Sequence, residues 1–232
     1  MHVETYQPVC MIKTKSIVAE LPETKRKLVD AGVNLMRRQG FNATTVDNIC
    51  SEAGVTKGGF FHYFKSKEDL AQAAVTRFRE VKARDFDGAP FRKLADPLDR
   101  VWGRLDYVKE SSGGADRPTR GCLVGVFAQE LSFTHPELRE ACQSGFTRMA
   151  EDFEKDLVEA KKLYAPKADF NPKNVALLYL TIIQGSLMVA KAAAANDVLM
   201  ENVEQFRRYL QSLFGMTRPD AGSDSRKRKG DS

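Results

Sequence analysis

Apolar residues recur at intervals of three and four along almost the whole chain, and this spacing is the strongest constraint on its fold. Side chains at that interval share one face of an α-helix, whereas those of a half-buried strand alternate every second residue. No segment rich in Val, Ile and Thr shows such alternation. The sequence therefore predicts an all-α protein of about nine helices.

Capping residues, glycines and prolines predict where the N-terminal helices begin and end. The first helix runs from Pro22 to Gly40, and either Thr44 or Thr45 can cap the short helix that follows. Thr56 is the expected N-cap of the next helix. The predicted helices after the first cover residues 46–53, 57–64 and 67 to about 81.

The same signals continue into the C-terminal half. Residues 85–96 are punctuated by glycine and proline and are expected to form a linker. Prolines at the first helical position then mark several helix starts. The remaining helices are expected at about 97–108, 121–132, 136–163, 175–195 and 198–214.

The composition, 42% hydrophobic and 29% charged, is that of an ordinary globular protein. The most apolar segment, 175–195, is interrupted by Gln184, Ser186 and Lys191, so no membrane span is expected. The first twenty residues lack the features of a signal peptide. Wide cysteine spacing indicates a reducing cytoplasm. The four cysteines are Cys10, Cys50, Cys122 and Cys142.

Few side chains are available for catalysis. The chain has three histidines, His2, His62 and His135, and no paired cysteines or histidines at the spacing of a zinc site. It also contains no nucleophile elbow and no P-loop. We therefore expect no catalytic residues, no metal and no cofactor, and an α-helical enzyme is a weak alternative.

The net charge of +5 lies mostly at the N-terminal end of the chain. Residues 1–85 contain 14 basic and 10 acidic side chains, whereas residues 86–215 contain 17 and 18. A basic segment beside a neutral one is a weak indication of nucleic-acid binding. Residues 20–70 are nearly balanced, so a DNA-binding function must rest on motifs.

Residues 44–64 have the pattern of a helix-turn-helix, in which the second helix is free to enter a DNA major groove. Gly54 suits the left-handed conformation of the turn. In the second helix, Lys57 and His62 can reach base edges or phosphates, while Gly58 and Gly59 leave room for the backbone to approach DNA. The aromatic residues at 60 and 64 are expected to pack inward.

This part of the chain resembles the TetR family of bacterial repressors over about residues 22–81. The resemblance rests on the ordered motifs at residues 40–46, 53–58 and 60–70. It implies that phosphates are bound by Thr45, Tyr63 and Lys67. It also implies that the residues facing the major groove are Thr56, Lys57, Gly58, Gly59 and His62.

Two residues depart from the pattern of the family. Phe61 occupies a position where tyrosine is usual, so one hydroxyl contact to phosphate is expected to be missing. Gly59 replaces the usual Ser, Thr or Ala, which lowers helix propensity by up to about 1 kcal/mol and removes a possible base contact.

The resemblance also implies a division of the chain and a homodimer. We expect the last two helices to form the dimer interface, because the helix at 175–195 is apolar nearly all round and must be buried. A purely intrachain core is the alternative. Two copies would read the half-sites of a palindromic operator, about 34–36 Å apart or a multiple of that. The expected parts are a flexible extension (1–20), a three-helix DNA-binding domain (21–81), a helical-bundle regulatory domain (82–215) and a disordered basic tail (216–232).

Residues 120–132 resemble the start of the pocket helix in a TetR branch that includes electrophile-responsive repressors. In that interpretation Cys122 is a sensor thiol, made acidic by the helix N-terminus and by Arg120. The alternative is that Cys122 is a small buried side chain. The candidate pocket residues, of which most aromatic ones are equally typical of plain core, are Trp102, Tyr107, Cys122, Phe127, Phe146, Met149, Tyr179 and Gln184.

The leading hypothesis is therefore a cytoplasmic, homodimeric repressor that a small-molecule effector releases from its operator. A redox or electrophile switch at Cys122 is the alternative within the same class. A helical module that binds a different protein is a third possibility. The effector's chemistry and the operator's sequence do not follow from these residues.

Overall fold

The computed structural model describes residues 21–112 and 121–216, and within these ranges it contains nine α-helices, one 3-10 turn and no strand. The all-α prediction is confirmed. The predicted N-terminal extension, Arg120 and residues 217–232 of the predicted tail lie outside the described residues. The helices are α1 (Glu23–Gln39), α2 (Val46–Ala53), α3 (Lys57–Tyr63), α4 (Lys67–Asp87), α5 (Pro97–Ser111), α6 (Leu123–Leu131), α7 (Pro136–Tyr164), α8 (Pro172–Ala193) and α9 (Asp197–Leu213).

The start of α2 is fixed by Thr45. Its hydroxyl accepts a hydrogen bond from the Asn48 N–H at 3.1 Å, and the Asn48 side chain accepts one from the Thr45 N–H at 3.1 Å. Thr44 is buried instead, and its hydroxyl donates to the Gly40 carbonyl at 2.6 Å. Thr45 is therefore the N-cap, which settles the choice between the two threonines.

The prediction of a linker at residues 85–96 was wrong. Helix α4 extends to Asp87, and Pro90–Lys93 form the 3-10 turn. The rings of Phe86 and Phe91 both pack on Tyr107, with centroids 5.2 and 5.8 Å apart. These aromatic contacts bury Phe91 and hold the segment against α5, and α4 continues through the predicted domain boundary at residue 81.

The buried apolar residues form two clusters. The first joins α1–α4 to α6 and to the beginning of α7, where Phe127, Leu131 and Leu138 are almost fully buried. The second joins α5, the rest of α7, α8 and α9. The helix-turn-helix part of the chain therefore shares its core with two helices that follow it much later in the sequence.

A buried group of opposite charges joins α5 to α7. The Arg104 guanidinium lies 2.7 Å from the Asp152 carboxylate and 3.4 Å from that of Asp156. Arg100 donates to the other oxygen of Asp156 at 2.8 Å, and Arg92 also pairs with Asp152. Each of these charges is paired with at least one charge of opposite sign, which allows them to remain in the interior.

Helix α8 is long and apolar enough to cross a membrane by length and composition alone, with a mean hydropathy of 1.6 over its most apolar 18 residues. Its polar residues therefore lower the mean hydropathy less than we expected when we used them to exclude a membrane span. One face of α8 packs against α7 and α9 and buries Val175, Tyr179 and Ile183. Such a helix is also typical of the core of a soluble protein.

Candidate nucleic-acid interface and regulatory cavity

The helix-turn-helix is held by a left-handed turn and by inward-facing aromatic residues. Gly54 ends α2 with φ +64° and ψ 37°, a conformation that glycine adopts without strain. Phe60 and Phe64 are buried as expected. Cys50 is also in the core, and burial raises the pKa of its thiol. These contacts fix α3 with its opposite face outward.

The outward face of α3 combines four exposed residues. Lys57 and Phe61 are one helical turn apart, as are Gly58 and His62, so the four side-chain positions lie together. The Phe61 side chain is 55% exposed. The structure thus brings three of the predicted groove-facing residues onto one surface and adds Phe61, which the sequence analysis did not assign to it.

The two glycines of α3 have different roles. A Cβ at Gly58 would have only the Thr56 hydroxyl oxygen nearby, at 3.9 Å, so nothing but the missing side chain keeps this position on the outward face small. A Cβ at Gly59 would lie 2.7 Å from Cγ1 of Val55, which points toward the protein rather than outward. Gly59 therefore permits Val55 to pack beneath α3. The sequence analysis did not assign this packing role to Gly59, and its approach to DNA stays a prediction.

The other residues predicted to contact DNA are Thr45, Tyr63 and Lys67 for phosphates and Thr56 for the groove. Thr45 and Thr56 are exposed N-caps, and the Thr56 hydroxyl accepts from the Gly59 N–H at 3.1 Å. Tyr63 is half-buried and edge-on to the His62 ring. The Lys67 ammonium donates to the Phe41 carbonyl at 3.0 Å and lies 4.1 Å from the Phe41 ring. Lys67 is thus anchored by the protein itself.

The sequence analysis missed Asp47, which pairs with Lys57. The carboxylate of Asp47 lies 2.8 Å from the Lys57 ammonium, and both side chains are largely exposed. The hydrogen bond and the negative charge of Asp47 raise the pKa of Lys57. In the sequence Asp47 is only an acidic residue in a first helical turn, which is common at helix starts.

Hydrogen bonds tie the end of α1 and the loop after it to the later helices. Arg37 donates to the Gly121 carbonyl at 3.0 Å, and Lys191 donates to the Arg37 carbonyl at 3.1 Å. The Asn42 N–H donates to the Glu130 carboxylate at 2.9 Å. Movement of α6 or α8 must therefore move or break contacts at the end of α1.

A cavity of about 160 Å³ lies at this junction of α1, α6 and α8. Its wall includes Cys122, Gly125, Gln184 and Lys191. The Gln184 amide nitrogen is buried and has no hydrogen-bond partner among the described residues. Two of the predicted pocket residues, Cys122 and Gln184, are therefore brought together here.

The other predicted pocket residues are dispersed through the core. Trp102 packs near Phe214, whereas Tyr107 donates to the Asp85 carbonyl at 3.0 Å. Phe127 is fully buried in the first cluster. The remaining ones pack with the second cluster, namely Phe146, Met149 and Tyr179. Burial raises the pKa of Tyr179 to about 12.

Two cysteines lie near the start of α6. Cys122 is the N-cap residue of that helix and is half-buried. Its expected neighbour Arg120 lies outside the described residues. Cys142 is in the first cluster, and burial raises the pKa of its thiol to about 11.

Helices α8 and α9 leave an apolar surface uncovered. Large apolar side chains there are between 39% and 55% exposed. A groove of about 340 Å³ runs between the two helices beside them. The exposed residues are Leu177, Leu178, Met188, Val189 and Tyr209.

Comparison with known families gives two adjacent matches. Residues 28–74 match the bacterial regulatory proteins of the tetR family. Residues 97–210 match the tetracyclin repressor-like C-terminal domain. The two matches cover the helix-turn-helix and the helices from α5 to α9.

Individual proteins are similar along most of the chain. The transcriptional regulator AcuR of Cereibacter sphaeroides is 29% identical over 191 residues, which cover 80% of this chain and 84% of that protein. The regulatory protein TetR from Rhodobacter sphaeroides has a crystal structure with a TM-score of 0.73 and 26% identity, covering 81% and 99% of the two chains. The reduced form of NemR from E. coli has a TM-score of 0.66 at 19% identity, covering 80% and 96%, and this likeness concerns the fold alone.

Proposed function

The chain belongs to the TetR family of DNA-binding transcriptional regulators, and we propose that it is a repressor released from its operator by a small-molecule effector. The observation that carries the proposal is the outward face of α3. It presents Lys57, Gly58 and His62 on a short helix whose other face is locked into the core. A helix presented in this way fits the major groove of B-DNA.

Regulators of this family are dimers, and we propose that this chain dimerises through α8 and α9. The exposed apolar residues on these helices support that choice, because contiguous apolar surface on a soluble protein marks an interaction site. Their exposure is also evidence against the alternative that α8 is buried entirely within the core of a single chain. A twofold pair of reading helices matches a palindromic operator.

The effector is proposed to act through the junction of α1, α6 and α8. An effector shifts the population of two arrangements only if it binds one of them more tightly. The hydrogen bonds from Arg37, Lys191 and Asn42 cross this junction, so two arrangements of α6 would differ in these contacts. The adjacent cavity supports a regulatory role for this region.

A covalent switch at Cys122 has less support. The side chain lines the junction cavity, but it is half-buried and its expected basic neighbour lies outside the described residues. We therefore favour a non-covalent effector. We also propose that the regulator is cytoplasmic, because the DNA that it binds is there. Replacement of Cys122 by Ser should leave DNA binding and release unchanged.

Binding to duplex DNA at several salt concentrations tests the proposed function. Operator fragments are first selected from genomic DNA with the full-length protein, and affinity is then measured by fluorescence anisotropy. We expect log K to fall steeply with log salt, because phosphate neutralisation releases counterions. Absent or salt-insensitive duplex binding would refute the proposal.

Two variants distinguish contacts to the DNA bases from electrostatic attraction to the phosphates. His62→Ala should change which sequences are selected, whereas Lys57→Ala should change the selected sequences and also weaken the salt dependence. Lys155→Ala is the matched control, because it removes one exposed positive charge on α7, outside α3 and outside the two helices proposed to form the dimer interface. It should leave both the selected sequences and the salt dependence unchanged.

A further inference from the structure

Phe61 is a large apolar side chain at a position where the protein offers it little cover. It is 55% exposed, although the preceding residue, Phe60, is completely buried. Its ring meets the edge of the Phe60 ring at a centroid distance of 5.2 Å. The rest of the ring faces outward from α3.

The surroundings of Phe61 leave its ring accessible. Gly58 is three residues earlier on the same face and has no side chain, and a Cβ there would have only the Thr56 hydroxyl oxygen nearby, at 3.9 Å. Lys57, four residues earlier, is drawn toward Asp47 by their ion pair. The phenyl ring therefore lies exposed on the face that, in the proposed function, enters the major groove.

The chemistry of the ring limits what it can recognise there. A phenyl group has no hydrogen-bond donor or acceptor, so it cannot replace the hydroxyl contact of a tyrosine to phosphate. Among base edges in the major groove, the apolar group is the C5-methyl of thymine. We propose that Phe61 is a specificity-determining residue that reads a thymine in each half-site by packing on this methyl group. The inference rests on the proposed function as a DNA-binding regulator.

Replacing thymine by uracil in the DNA tests this directly, because uracil keeps the hydrogen-bonding edge and lacks only the methyl group. Each thymine of a selected operator is replaced in turn, at symmetrical positions in both half-sites, and binding of the full-length protein is measured. At one of these positions, replacement of thymine by uracil should weaken wild-type binding by about fourfold per half-site. This factor corresponds to the burial of one methyl group.

The Phe61→Ala variant should bind the thymine and uracil versions of that operator equally. Phe61→Leu, which keeps an apolar side chain, should retain part of the discrimination. His62→Ala is the control, because it should weaken operator binding while remaining sensitive to uracil. Thermal unfolding of Phe61→Ala should match the wild type, since the side chain is exposed.

Each other outcome has a definite meaning. If no thymine is sensitive in the wild type, or if Phe61→Ala remains sensitive, the proposal is wrong. A uniform loss of affinity by Phe61→Ala for all sequences would instead assign the ring to sugar and backbone contacts. Failure of the wild type to bind any duplex would overturn the proposed function as well, and is distinguished by that broader failure.

Discussion

Replacement of Arg104 by Met tests the buried charge group between α5 and α7. Arg104 is 2% exposed and pairs with Asp152 and Asp156 at 2.7 and 3.4 Å. Its guanidinium also lies 5.0 and 5.1 Å from the ring centroids of Phe153 and Phe91. Methionine fills a similar apolar space without a charge, so the variant removes mainly the electrostatic partner of two carboxylates.

The expected loss of stability follows from which charges remain. Removing one partner of a buried ion pair costs about 3–5 kcal/mol, because the other charge is left uncompensated. Here Arg92 and Arg100 still contact the two carboxylates, so we expect the lower end, about 3 kcal/mol. For a domain of this size that corresponds to a fall in Tm of roughly 6–12 °C.

Thermal and urea unfolding followed by circular dichroism measure this loss. Protein concentration must be held constant, because the apparent stability of the proposed dimer would depend on it. Arg26→Met is the control, since Arg26 forms an exposed pair with Asp30 and its loss should cost less than about 1 kcal/mol. If Arg104→Met is no less stable than this control, the buried charges do not hold α5 and α7 together.

Three further outcomes follow from the described contacts. Asp47→Asn should raise affinity for non-operator DNA more than for operator DNA in anisotropy titrations, because it removes a negative charge beside Lys57; an equal rise for both would contradict this. Gly40→Ala should lower stability by about 1–3 kcal/mol, because φ +91° and ψ 166° is a region essentially reserved for glycine, whereas Gly58→Ala should change stability by less than about 1 kcal/mol; equal unfolding temperatures would refute the difference. For Asp152, burial raises the carboxyl pKa, but the neighbouring arginines outweigh burial and lower it overall. Its stabilising contribution is therefore present above the unfolded value of about 4 and is lost as pH falls through the lower folded value, so Asp152→Asn should flatten acid unfolding in this range.

Most helix boundaries could be predicted because they are set by local chemistry. Thr45, Gly54 and Thr56 act on backbone groups within a few residues, and α2 begins and ends where these residues predict. The segment at 85–96 was misjudged for the opposite reason. Its order depends on Phe86 and Phe91 contacting a residue in α5, and a local pattern of glycine and proline does not reveal such a contact.

In the candidate site, too, the features that depend on spacing within one helix were predictable, whereas contacts between helices were not. Helical spacing places Lys57, Gly58 and His62 on one face, and the structure agrees. The pairing of Lys57 with Asp47 joins two helices across a turn, so it could not be read from spacing within either one. The dispersal of the aromatic pocket candidates has a similar cause, because core and cavity residues share the same composition and periodicity.

The shared apolar core has a consequence for exchanging parts between regulators. Phe127, Leu131 and Leu138 close the core beneath the helix-turn-helix, although they come from α6 and α7. A fragment cut at residue 81 and fused to a foreign partner would lose this cover and expose the side chains beneath it. To transplant the operator preference of this protein, the graft must include α6 and the first turns of α7, or a substitute surface of matching shape.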